Sequence, residues 1–355
     1  MKPLLRATAV LLTACCLSGC RNDDQVDQPV QPTQPAATLE RLESQGGRLK
    51  RDAEGKVVEA NLRGSTATDD DLAALAACDK LQSLLLNDTQ ISGPGLAAMA
   101  GNASLKTLDL RGAPITDVAM QHVASLKNLK LLKLQGAAVT DEGMSHLAGL
   151  QNLVALGVEQ TEITDAGVAH LARLTNLREL YLAETALGDD GLRTVGRLVA
   201  LQKLRISGTH VTDAGAAHLV ALQQLRVLDA SSTSIGDAGL AELAKLVALE
   251  DVNLYDTPTG NNALAHLTRL KQLKRLNIDR TQVTDAGLVH LTEMPNVEWV
   301  HAGSNKITDA GLEPLSSMEQ LRHLIVTRTD VTDAGVERLK QALPGADVKH
   351  VFSGP

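Results

Sequence analysis

Three of the four aromatic side chains in the chain, Tyr181, Tyr255 and Trp299, stand on alternating apolar segments at places that point away from the apolar side. Around two of them recur Asp229, Asn253, Asp256, Asn277, Asp279, Arg280 and His301. Rings of this kind bring large apolar area at little entropic cost, and a surround of amides and charges fixes orientation, so the chemistry within reach is non-covalent recognition. Tyr and Trp also form strands well on a half-exposed sheet, which is the plainer reading of the same residues. Lys203 and Arg205 add a basic pair too small to set a partner class.

Other reactive types resolve into structural roles. His122, His146, His170, His218, His266 and His290 share one helical place in a repeated pattern. Zinc needs its ligands about 2.1 Å away, whereas neighbouring helices stand roughly 10 Å apart, so no metal ladder is expected. Asp117, Asp141, Asp165, Asp189, Asp213, Asp237, Asp285, Asp309 and Asp333 read as helix-start residues rather than calcium ligands. Cys15 and Cys16 fall in an apolar leader; with Cys20 acylated, Cys78 is the remaining thiol and no internal disulfide can form. No nucleophile motif, phosphate loop or paired cysteine motif occurs, so neither catalysis nor a cofactor is expected. A net charge of -8 without a basic block argues against nucleic acid as a partner.

The elements that position these residues come from repetition. From Val57 the chain divides every 24 residues, at Leu81, Leu105, Leu129 and onward to Leu321, giving twelve copies without an insertion. In Leu129-x-x-Leu132-x-Leu134 the alternation is that of a strand with one buried face. A small polar place follows, held by Thr161, Thr185, Thr209, Thr233, Thr257, Thr281, Asn305 and Thr329, expected to bond the neighbouring loop and to fail where Ala113 and Ala137 stand. Then comes a helix start, as in Thr164-Asp165-Ala166-Gly167-Val168. Glycine there costs about 1 kcal/mol relative to alanine, so its recurrence from Gly143 to Gly335 implies a place with no room for a side chain. Thr259-Gly260-Asn261-Asn262-Ala263 departs from the pattern, and a looser or re-angled turn is expected.

This pattern resembles the leucine-rich-repeat family, and its Thr-Asp-Ala-Gly-Leu segment is most similar to the ribonuclease-inhibitor-like branch. The resemblance implies an α/β solenoid, a horseshoe with a parallel sheet on the concave face and helices on the convex face. It implies little about function, because one fold serves many.

Lys2 and Arg6 precede the apolar run Ala7 to Leu17, too short to span a bilayer, which reads as an export signal over residues 1–19. Leu17-Ser18-Gly19-Cys20 resembles the lipobox of bacterial lipoproteins, which implies lipidation at Cys20 and a membrane anchor. Arg21 rather than Asp follows, so the outer membrane or cell surface is the expected place in the cell envelope. Residues 20–37 read as a Pro- and Gln-rich tether, 38–56 as an N-terminal cap with a hairpin about Gly55, 57–344 as the repeats and 345–355 as a terminal cap. The expectation is a non-catalytic recognition module that binds a protein or peptide on its concave face; binding of a glycan or the cell wall is the alternative.

Overall fold

The computed structural model describes residues 35–351. The export signal, Cys20 and the tether up to residue 34 lie outside the described residues, as does Phe352. A helix, Pro35–Ser44, begins inside the segment read as tether and buries Leu42 completely.

Fourteen strands form one open sheet whose order is the order of the chain. They are β1 (Arg48–Arg51), β2 (Val57–Asn61), β3 (Ser83–Leu85), β4 (Thr107–Asp109), β5 (Leu131–Lys133), β6 (Ala155–Gly157), β7 (Glu179–Tyr181), β8 (Lys203–Arg205), β9 (Val227–Asp229), β10 (Asp251–Asn253), β11 (Arg275–Asn277), β12 (Trp299–His301), β13 (His323–Ile325) and β14 (Asp347–Lys349). Only the first pair, β1 with β2, is antiparallel. Every other pair joins residues 24 apart, from Glu59 beside Ser83 to His323 beside Asp347. Each three-residue strand buries its middle residue, as Leu180 and Val300 do completely, and turns its outer two toward the face free of helices. Helices are broader than strands, about 8–10 Å against 4.8 Å, so a one-sided stack of this kind makes the sheet the inner, concave layer. The fold is the expected α/β solenoid, and its core is a continuous column of Leu, Val, Ile, Ala and Met.

Strands are shorter than the apolar pattern suggests, because each repeat breaks at the same place. Its eighth residue is left-handed in all twelve copies, with φ between 51° and 73°, from Gly64 through Asp88, Gly112, Gly136, Gln160 and Glu184 to Arg328. That conformation costs a side-chain-bearing residue roughly 1–2 kcal/mol. A backbone hydrogen bond to the next repeat offsets the cost: Gln160 N donates to Ala183 O at 2.9 Å and Ser232 N to Tyr255 O at 2.7 Å.

The polar place after the strand acts locally. Thr161, Thr185, Thr209 and Thr233 each donate to the carbonyl three residues back in their own repeat, at 2.6–2.7 Å. The cross-repeat bond at this place centres on Asn305, which donates to Ile278 O at 2.7 Å and accepts from Thr281 N at 2.9 Å and from Thr281 Oγ1 at 3.1 Å. At this place the hydroxyl is spent on the carbonyl of its own turn, so the expected threonine ladder is corrected to a set of separate turns.

Aspartate supplies the cross-repeat bond instead. Asp141 accepts from Thr164 N at 2.8 Å and from Thr164 Oγ1 at 2.6 Å, while Thr164 Oγ1 in turn caps its own helix at Ala166 N. The same clasp joins Asp117 to Thr140, Asp189 to Thr212, Asp285 to Thr308 and Asp309 to Thr332. The recurring glycine exists to admit that carboxylate: a Cβ on Gly167 would stand 2.3 Å from Asp141 Oδ1, and one on Gly215 2.2 Å from Asp189 Oδ1. Where Gly93 replaces the aspartate, the facing residue is Ala119. The segment expected to be loose keeps the connection, since Gly260 N donates to Asp237 and Asn261 Oδ1 accepts from Thr284 N. Asparagine carries both an acceptor and donors, so Asn261 Nδ2 also bonds Thr284 Oγ1.

A candidate recognition surface on the open face of the sheet

The register places the sequence-selected residues in three rows. Asp229, Asn253, Asn277 and His301 lie side by side across β9 to β12, and Tyr181 joins the same row through Arg205. Trp299 stands in the row of Arg275 and Asp251. Tyr255 and Asp279 follow two residues after their strands, and Asp256 and Arg280 occupy left-handed positions with φ of 56° each. Tyr255 is therefore beyond the strand on which the sequence put it, although the alternation still turns it outward and leaves it half-buried.

The three aromatics do not form one cluster. Tyr181 is three strands from the repeat of Tyr255, about 14 Å at ordinary strand spacing, whereas Trp299 is two strands beyond it, about 10 Å. Tyr181 is engaged by its neighbours: its hydroxyl donates to Glu179 Oε2 at 2.7 Å and the Arg205 guanidinium lies 5.7 Å from the ring centre. Burial, with the Glu179 carboxylate beside it, pushes the Tyr181 hydroxyl well above the usual phenol range. The basic pair is neutralised, Lys203 by Glu179 at 2.9 Å and Arg205 by Asp229 at 3.2 Å.

Around Trp299 the arrangement is different. The Arg275 guanidinium lies 4.6 Å from its ring centre and His301 meets it edge-on at 6.0 Å. Arg275 is itself held by Asp251 at 3.2 Å, so the indole is flanked by fixed groups while remaining half-exposed. Such stacking of a cation on a ring contributes about 0.5–1 kcal/mol at an exposed site. His301 Nε2 is 3.2 Å from Asp279 Oδ2. Burial pulls the His301 imidazole below its usual pKa, and the Asp279 charge offsets this only in part. Asp279 Oδ1 is buried without a hydrogen-bond partner among the described residues.

The polar row beside the ring is anchored through backbone. Asn253 Oδ1 accepts from Tyr255 N at 3.1 Å and Asn253 Nδ2 donates to Asp229 Oδ1 at 2.9 Å. Asn277 Oδ1 accepts from Asp279 N at 3.0 Å, and its amide nitrogen has no partner among the described residues. Arg280 pairs with Asp256 at 3.2 Å, and the neighbouring Tyr255 hydroxyl, with the Asp256 charge, raises its pKa. The surface thus offers an indole and a phenol held in place, with an amide donor between them.

Sequence reading missed a second feature of this face. Ala155 and Gly157 are small at outward places of β6, and a hollow of about 300 Å³ opens over them, bounded by Arg111, Lys133, Glu159 and Tyr181. The signal was a glycine on a strand at a place where the other repeats carry larger residues. Among the described residues no three His, Cys, Asp or Glu side chains gather as a metal site would require. Cys78 packs half-buried against the core, where burial raises its thiol pKa.

A family model described as a leucine-rich repeat region matches residues 167–344, and one described as a leucine-rich repeat matches residues 101–124. No curated protein matches the sequence. Among solved structures, an internalin from Listeria monocytogenes is similar over 90% of this chain and 95% of its own, at TM-score 0.68 and 18% identity. A TDR receptor is similar over 84% of this chain and 56% of its own, at TM-score 0.59 and 17% identity. A leucine-rich-repeat protein of Leptospira interrogans covers 79% of this chain and 87% of its own, at TM-score 0.51 and 15% identity. These likenesses concern the fold alone. With the family model spanning half the sequence and the 24-residue register running through the whole sheet, the chain belongs to the leucine-rich-repeat family.

Proposed function

We propose that the protein is a non-catalytic recognition module that binds a protein or peptide across the Trp299 and Tyr255 stretch of the open face. The observation that carries this reading is the indole of Trp299, half-exposed yet fixed between Arg275 and His301. An aromatic already held in its rotamer loses little entropy on binding, and the unpartnered Asn277 amide suits a peptide carbonyl. Lipidation at Cys20 and display from the cell envelope, at the outer membrane or cell surface, belong to the same proposal. They rest on the lipobox resemblance and on Arg21.

Trp299 is the sole tryptophan, so its emission reports occupancy of the patch directly. Once a partner has been captured with the full chain, Trp299→Ala and Tyr255→Ala are each expected to weaken its binding by about 2 kcal/mol, the level of a hot-spot residue. Unchanged affinity in both variants refutes the patch. For the anchor, Cys20→Ser is expected to move the protein from the membrane to the soluble fraction.

A further inference from the structure

The hollow over Gly157 lies away from the Trp299 patch, and its charges are arranged differently. Most of them are neutralised within the protein: Arg111 by Asp109 at 2.7 Å, Arg205 by Asp229 at 3.2 Å, and Glu179 by Lys203 at 2.9 Å. Two are not. Lys133 and Glu159 both line the hollow and both are half-buried, yet neither forms an ion pair or a hydrogen bond with another side chain among the described residues. Burial pushes the Glu159 carboxyl above its usual pKa, and the charges of Arg205, Lys133 and Arg111 do not fully offset it. A cation and an anion therefore face one cavity without meeting.

We propose that this hollow binds a zwitterionic group, with a carboxylate directed to Lys133 and an ammonium or guanidinium directed to Glu159. It is carried by a free amino acid or by neighbouring, oppositely charged side chains of a peptide. Each simpler occupant conflicts with the lining. An anion alone leaves Glu159 unpaired beside it, a cation alone leaves Lys133 unpaired beside it, and an apolar group strips water from both charges and replaces it with nothing. A volume of about 300 Å³ accommodates a group of one or two residues and stands at the small end of ligand pockets. The site goes beyond the Trp299 reading and does not depend on it.

Gly157 provides the decisive variant. The nearest atoms to a Cβ there are Glu159 Oε2, at 2.9 Å, and Glu159 Cδ and Lys133 Cγ, at 3.9 Å each, and the closest is the far end of a flexible side chain. Gly157→Leu is therefore expected to fill the hollow with the fold kept, which a thermal melt checks. The full chain is titrated by calorimetry with free L-lysine, free L-glutamate, a blocked tetrapeptide with adjacent lysine and glutamate, and the same peptide with both replaced by glutamine. Saturable binding of a free amino acid or of the charged peptide identifies the source. Lys133→Met and Glu159→Gln are each expected to weaken it about tenfold, the value of one charge-assisted contact, and Gly157→Leu to abolish it. The proposal is overturned if no charged probe binds, if the glutamine peptide binds as well as the charged one, or if Lys133→Met leaves binding unchanged.

Discussion

The two ends of the open face use their outward carboxylates for opposite purposes. At the N-terminal end, Asp109 is 2% exposed and every one of its bonds is made: Arg111 donates to both carboxylate oxygens at 2.8 and 2.7 Å, and Asn87 donates to Oδ1 at 3.0 Å. Arg63 completes the group through Asn87 Oδ1 at 3.1 Å. Toward the C-terminal end, Asp279 sits at an outward place in the row of Tyr255 with one oxygen near His301 and the other unpartnered. A closed network of this sort stabilises the sheet and has nothing left to offer a partner. An open one gives up stability and leaves a polar atom unpartnered. The difference is independent of the aromatics themselves, and it supports the proposed reading that recognition lies at the aromatic end.

The largest test of that contrast is a pair of carboxylate deletions. Asp109→Ala leaves the Arg111 guanidinium and the Asn87 amide nitrogen without their acceptor and is expected to cost about 3 kcal/mol, toward the low end for a broken buried pair because Arg111 is partly exposed. Asp279→Ala removes an unsatisfied oxygen and is expected to cost under about 1 kcal/mol. Urea denaturation of both variants measures this, and equal losses would erase the distinction between the two ends.

A second pair asks whether the scaffold beneath is uniform. Gly95 and Gly311 hold the clasp glycine near each end, where a Cβ would stand 2.6 Å from Asp69 Cα and 2.4 Å from Asp285 Oδ1. Both alanine variants are expected to destabilise by about 1–3 kcal/mol through overpacking, with Gly95→Ala the worse because its obstacle is backbone. A large loss at one end only would mean that the helical side also differs, and the contrast would no longer belong to the open face.

The smallest expected effect is pH dependence, and it sharpens the contrast by separating the two ends in pH. Burial holds the His301 pKa in the folded chain below its ordinary 6.5. The unfolded chain therefore takes up a proton that the folded one resists, so stability is full above about pH 6.5 and is lost as pH falls through the folded value. Asp109 behaves differently: burial raises its pKa, but the Arg111 bonds outweigh this and hold it below 3.8. Its contribution is present above 3.8 and is lost only as pH falls through that lower folded value. Between pH 7 and 5, His301→Gln should flatten the decline in denaturation midpoint, and an unchanged slope would show that His301 does not report on this region.

Much of this was legible in the residues. Leu132 and Leu134 announced a strand with one buried side, Gly167 announced a crowded helix start, and Tyr181, Tyr255 and Trp299 were assigned outward and are half-buried rather than enclosed. What Gly167 was crowded by could not be read, because Asp141 lies a repeat earlier and meets it only once the repeats are stacked. The left-handed eighth position was concealed for a related reason. Glu184 and Arg280 are poor indicators of positive φ, and their conformation is imposed by a ladder of bonds to the next repeat.

By itself the sequence determined the repeat length, the apolar column and hence the solenoid, since a period of 24 residues with one greasy side has few other ways to exclude water. The tertiary structure decided which outward groups are already partnered and which are not. It separated Tyr181 from Trp299, neutralised Arg205 and left Lys133 and Glu159 apart. Burial of a repeat is a sum over like residues and survives in a linear pattern, whereas the pairing of a charge depends on the side chains that lie across from it in neighbouring strands.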